Sequence, residues 1–193
     1  MHEVQQYVIE ALEKFKKTFI IKYEYENIGL IKKFRIDSRK NLEYDEEKWC
    51  RLFLKKSCFN YCSKLLLLRV FEDKGKITSK FNKKGIEIWN KLVKNIKDRY
   101  DKLYNIAIID IKNDEEISFL KHIFAESDYD IYEIDKELAD IIVCGLSNID
   151  LKNITNENLK TIFRQLYPLD EREEAGFVEF YKKAPALEYI LSL

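Results

Sequence analysis

Cys50, Cys58 and Cys62 fall on one stretch of chain at helical spacing, and thiolates so placed are the first residues to weigh for metal chemistry. A structural zinc wants four ligands. The only histidines are His2 and His122, and no C-x2-C pair occurs, so these cysteines and Cys144 read as reduced, mostly buried thiols. Asp110 and Lys112 follow the apolar run Ile106 to Ile109 and would bring a carboxylate and an ammonium to the end of a strand. That pairing can hold a divalent cation against a phosphodiester, but the second carboxylate it needs is missing at a suitable spacing. His122 has no Ser or Cys nucleophile in a recognisable context beside it. The run Asp128, Asp130, Glu133, Asp135 and Glu137 lacks the glycine and terminal glutamate of a calcium loop and reads as a solvated acidic face. Five scattered glycines cannot build a phosphate cradle or a nucleophile elbow. Catalysis within this chain, and a metal held by it, are not expected.

Charge is the stronger signal. The 193 residues carry 34 Lys and Arg against 34 Asp and Glu, but the balance is not local. Residues 48–102 hold 16 basic and 5 acidic side chains, whereas residues 103–193 hold 9 and 19. Such a basic block is the footprint of a phosphate-backbone contact, because each neutralised phosphate releases condensed counterions. Lys55, Lys56, Lys64, Arg69, Lys83, Lys84, Lys91, Lys94 and Lys97 are the candidates for contact with the DNA backbone. The competing arrangement pairs the basic block with the acidic one inside the fold, leaving little for DNA.

The elements that would position these groups are mostly helices. Only 5 Gly and 2 Pro occur in a chain that is 46% hydrophobic, which excludes disorder and turn-dense sandwiches. Val4, Tyr7, Val8, Ala11, Leu12 and Phe15 mark a first helix over about residues 3–18. Alternation of Ile21, Tyr23, Tyr25 and then Phe34, Ile36 around Gly29 predicts a β-hairpin. Asp45 is placed to cap a long helix that runs through the Leu65 to Leu68 run to Gly75 and should lie at the centre of the packing. A helix over about 84–104 carries Trp89, Leu92, Val93, Ile96, Tyr100 and Leu103 on one face and lysines on the other. Asp114, Asp135 and Thr155 cap three shorter helices, and a last one begins at Pro185. Its apolar residues imply docking on something, so the chain end reads as a cut or a join. The expectation is a mainly α, multi-helix bundle with one long central helix and a small β-hairpin. Residues 1–43 form the helix and hairpin, and 44–193 form a helical domain. No span of apolar residues is long enough for a membrane, and with no signal peptide visible the chain reads as cytoplasmic.

Four segments carry a family likeness. Leu52 to Gly75 is a leucine-rich helix ending in Phe71-Glu72-Asp73-Lys74-Gly75. Weaker pieces follow at Tyr104-Asn105, Ile131 to Ile134 and Leu138 to Leu146. Ile162-Phe163-Arg164-Gln165-Leu166-Tyr167 then leads to Glu171-Arg172 and Gly176, and Phe180-Tyr181 leads to Pro185, Tyr189 and Leu191. In this order they resemble the helical region that precedes the catalytic domain of adenine-specific DNA methyltransferases of restriction–modification and phage-defence systems. Arg172, Gly176, Phe180, Tyr181 and Pro185 are the positions that match the family motif. Where that family has Thr-Pro, this chain has Lys182-Lys183, and the family's glycine-rich S-adenosylmethionine loop and its Asn-Pro-Pro-Tyr motif are absent.

The resemblance implies a non-catalytic module, with no cofactor of its own, that supports a methyltransferase catalytic domain in cis or trans. S-Adenosylmethionine would belong to that domain, and DNA would be met through non-specific backbone contacts. The alternative is a stand-alone helical interaction or regulatory protein, a DNA mimic or phage-defence component, working through its acidic half.

Overall fold

The computed structural model describes residues 2–25, 27–37, 46–93, 95–96, 99–168, 180 and 183–192. The described residues are mainly helical, with no strand among them. In chain order the helices are α1 (His2–Tyr23), α2 (Asn27–Asp37), α3 (Glu46–Asp73), α4 (Lys83–Leu92), α5 (Tyr100–Asn113), α6 (Ser118–Ile123), α7 (Lys136–Leu146), α8 (Asn156–Leu166) and α9 (Pro185–Ser192).

The central helix is α3. Its 28 residues give a rod of about 42 Å, and from Ser57 to Glu72 every side chain is buried. It is apolar on more than one face because helices surround it: α1, α2 and α9 all pack on it. Polar side chains trapped in it turn inward, as when Ser63 Oγ donates to the Phe59 carbonyl at 2.6 Å. α3 stops at Gly75, whose φ of 66° is the left-handed conformation that glycine adopts without strain.

The expected β-hairpin is not there. α1 runs on to Tyr23 because Phe15, Phe19 and Tyr23, one helical turn apart, stack into the core, with ring centroids 5.8 Å and 5.0 Å apart. The residues whose alternation suggests a strand do not share one face: Tyr23 is buried, whereas Ile21 is exposed and Tyr25 is 83% exposed. Gly29 lies within α2, where the sequence reading placed a turn.

The helix expected over 84–104 is two helices. α4 ends at Leu92, and α5 begins at Tyr100 after Arg99. α4 shares no extensive packing with any other helix, whereas α5 packs on α7. The caps expected at Asp135 and Thr155 are present: Asp135 accepts from the Leu138 N–H, and Thr155 forms a reciprocal box with Asn158. Asp114 caps a single 3-10 turn, Glu115–Ile117, before α6. α9 docks on this chain's own body, burying Ala186, Leu187 and Ile190 against α3, α6 and α8.

Candidate nucleic-acid interface

The site begins at the end of α3, where two acidic side chains do different work. The Glu72 carboxylate accepts from the backbone N–H groups of Lys80, Phe81 and Asn82 at 2.8–3.0 Å. Three successive N–H groups turned onto one anion form a nest, here filled from within the chain. Burial pushes the Glu72 carboxyl above its ordinary value, while those N–H groups and Arg69 work in the other direction. Burial also acts to raise Asp73, but the bonds it accepts from Arg69 and the Leu151 N–H win and hold it below the usual carboxylate range.

Arg69 completes this mount. It is 1% exposed and reaches both carboxylates, at 3.2 Å to Glu72 and 2.9 Å to Asp73, as well as the carbonyls of Leu146 and Ile149. Its charge is used inside the fold, tying the α3 end to the α7 end, and it presents nothing to DNA. Lys64 is likewise enclosed, at 4% exposure, 2.7 Å from Asp130 and 3.0 Å from the Ala125 carbonyl. The two residues are therefore corrected from surface contacts to interior ties. Lys55 and Lys56 are half-buried on α3, with Lys56 Nζ 6.0 Å from the Phe180 ring centroid.

What the mount holds out is α4. Asn82 caps it through the Gly85 N–H, and Gly85 presses on the Lys80 backbone so closely that an added Cβ would sit 2.4 Å from it. Gly85 and Trp89 form the buried side. Lys84, Ile88 and Lys91, spaced i, i+4, i+7, line an outer stripe beside exposed Lys83 and Leu92. Just before α4, Lys74 and Lys76 flank the Gly75 turn and are also exposed. None of Lys74, Lys76, Lys83, Lys84 and Lys91 has an ion-pair partner among the described residues. Glu87 is the one acidic residue on α4.

The predicted contacts thus divide. Lys83, Lys84 and Lys91 come together on α4, Lys55 and Lys56 lie on α3, and Lys94 and Lys97 lie outside the described residues. Lys74 and Lys76 were missing from the predicted set, although they sit on either side of the glycine that ends α3. Ion pairs that join residues 48–102 to 103–193 include Lys64–Asp130 and Lys80–Asp110, and neither uses the five free lysines.

Asp130, which lines a cleft of about 720 Å³, takes bonds from Asn60, Lys64 and both Ser127 donors. Asp110 lies on helix α5, paired with Lys80 at 2.6 Å, and Lys112 pairs with Glu126 at 2.6 Å; the strand-borne pairing is not formed. Cys50, Cys58 and Cys62 are buried and Cys144 is exposed. Burial pushes the Cys58 thiol well up, away from the reactive thiolate. Among the described residues no three His, Cys, Asp or Glu side chains gather where they could hold a metal ion. Of the family-motif positions, Arg172, Gly176 and Tyr181 lie outside the described residues. Phe180 stands edge-on to Tyr129 at 4.7 Å in the core, and Pro185 starts α9. No helix among the described residues is long and apolar enough to cross a membrane.

No protein-family model matches this chain, and no curated protein or solved structure is detectably similar to it.

Proposed function

We propose that this chain is a non-catalytic helical module that holds duplex DNA by its backbone through α4 and the α3–α4 corner. The observation that carries the proposal is the set of five exposed lysines without ion-pair partners among the described residues: Lys74 and Lys76 at the turn after α3, and Lys83, Lys84 and Lys91 on α4, the helix tied to α3 by a buried carboxylate. A ten-residue helix is about 15 Å long, which matches the rise of about four phosphates along one strand. Lysines are suited to this task as point charges that position a duplex without reading it. The positive end of the α4 dipole, next to Lys83 and Lys84, adds to the same field.

The likeness to the helical region of adenine-specific DNA methyltransferases supports duplex DNA as the polyanion and a methyltransferase catalytic domain, in cis or trans, as the partner. In that setting the module would position DNA and leave methyl transfer and S-adenosylmethionine to its partner. The apolar side of α9 is taken up by α3, α6 and α8, so a brace to that partner would use another surface.

The test is binding of the folded chain to random-sequence duplex DNA across a salt series, beside a Lys83→Glu, Lys84→Glu, Lys91→Glu variant. With five phosphates contacted, the slope of log K against log salt should approach about −4.5. The variant should lose most of that slope together with its binding at low salt. A folded wild-type chain that fails to bind at low salt would overturn the reading.

A further inference from the structure

A backbone contact made by lysines alone has no use for the aliphatic side chains that share this face. Leu92, in the last turn of α4, is 75% exposed, and Ile88, one turn earlier, is exposed beside it. Ile96, beyond the end of α4, is also exposed, in a turn held by its N–H to the Val93 carbonyl at 3.1 Å. Water is a poor environment for such groups, and among the described residues no helix packs extensively on α4. Lys84 and Lys91 run along one side of Ile88 and Leu92 on α4, so whatever meets the aliphatic side chains also meets positive charge.

We propose that Leu92, supported by Ile88, is a wedge that enters between base pairs of duplex DNA while Lys84 and Lys91 hold the phosphate backbone beside it. The proposal rests on the DNA-binding reading above and deepens it: the module would bend the duplex as well as hold it. A helix that inserts an aliphatic side chain from the minor groove partly unstacks one base step and kinks DNA by roughly 20–90°. Cations beside the wedge neutralise phosphates near the kink, which fits an apolar tip with lysines along one side of it. Pyrimidine–purine steps unstack most readily, so the module should prefer duplexes that contain TA or CA steps without reading any base edge.

Other occupants fit less well. An anionic membrane surface would be met by an amphipathic helix with a continuous apolar face, whereas the face of α4 that carries Gly85 and Trp89 is already buried. A short aliphatic pair with lysines along one side suits the edge of a narrow groove lined by phosphates.

The experiment uses the full chain and a duplex of about 30 base pairs with a central TA step, labelled with a fluorophore at each end. Energy transfer reports bending, and a parallel salt titration reports phosphate contacts. Wild type should raise energy transfer, and Leu92→Ala should abolish the rise while leaving the salt slope unchanged and weakening binding about tenfold. Replacing the TA step with a G·C-rich centre should weaken wild type and leave Leu92→Ala unaffected. Because Leu92 is exposed, the alanine variant should keep the wild-type circular dichroism and melting curve. Binding without a change in energy transfer, or equal affinity of Leu92→Ala, would overturn the wedge and leave the backbone reading standing. Failure of wild type to bind DNA at all would overturn both. Binding to phosphatidylserine vesicles in place of DNA would likewise overturn both and assign the strip to a lipid surface.

Discussion

The Glu72 carboxylate receives the Phe81 N–H on both of its oxygens, at 2.9 Å and 3.0 Å, across the turn between α3 and α4. One buried anion thus joins the central helix to the helix that carries the free lysines. Removing it leaves three N–H groups and the Arg69 guanidinium short of a partner in a buried place. Glu72→Ala should therefore cost about 3–5 kcal/mol, as the loss of one member of a buried charged network does. Glu72→Gln keeps an acceptor and should cost less. Urea unfolding would measure both, and hydrogen exchange should show residues 80–92 losing protection before α3 does. If exchange in α4 stays as slow as in α3, the anchoring role is refuted.

A second buried ion pair makes a different prediction. Lys64 and Asp130 tie α3 to the chain before α7, with Asn60 donating to the other Asp130 oxygen at 2.7 Å. Lys64→Met alone strands the Asp130 carboxylate, and Asp130→Leu alone strands the ammonium, so each should lose about 3–5 kcal/mol. The double variant removes both charges and should recover part of that loss, because an apolar pair avoids the charge desolvation, while Asn60 and Ser127 still lose their acceptor. A double-mutant cycle by denaturant unfolding checks this. Simple additivity of the two losses would mean that the charges act independently.

The sequence patterns that succeeded here are those in which one physical requirement had no competitor. Gly75 ends α3 because a left-handed residue is needed there, and Asp135 and Thr155 start α7 and α8 because their side chains satisfy otherwise unpaired N–H groups. The hairpin reading failed where two periods overlapped. Ile21, Tyr23 and Tyr25 alternate, but Phe15, Phe19 and Tyr23 are also one turn apart, and the aromatic stack they form in the core decides for the helix. The break between α4 and α5 carries no proline or glycine, so periodicity ran through it unmarked. At the candidate interface, charge density located the basic region but could not say which lysines are spent inside the fold. Lys64 and Arg69 resemble their neighbours in the sequence, and only the arrival of Asp130, Glu72 and the Leu146 carbonyl distinguishes them.

Asp101 gives the fold an acid-sensitive point. It lies in the first turn of α5, buried, and the hydrogen bond from Arg99, aided by Lys102, brings its carboxyl down to about 2 from the ordinary 3.8. A carboxyl depressed on folding contributes stability that is present above its unfolded value and is lost as the pH falls through its folded one. The contribution of Asp101 should thus be complete at pH 5 and disappear between about pH 4 and about pH 2. Asp101→Asn should be less stable than wild type at pH 5, and the difference in urea midpoint should shrink toward zero by about pH 2. A difference that stays constant over that range would show that the ion pair does not supply the effect.

Close approach of α1 and α7 depends on a pair of small residues. A Cβ added to Gly145 would lie 2.5 Å from the Ala11 Cβ, so the two helices touch where one has no side chain and the other has a single methyl group. Gly145→Ala should force the helices apart and cost about 1–3 kcal/mol, despite the better helix propensity of alanine. The clash is with a methyl group, which makes it repairable: Ala11→Gly in the same chain returns the missing space. The double variant should melt above Gly145→Ala alone, although Ala11→Gly by itself is destabilising through the propensity of glycine. Thermal melts of the three variants decide the matter. If the second substitution only lowers the melting temperature further, the contact between these two residues is not what limits the helix separation.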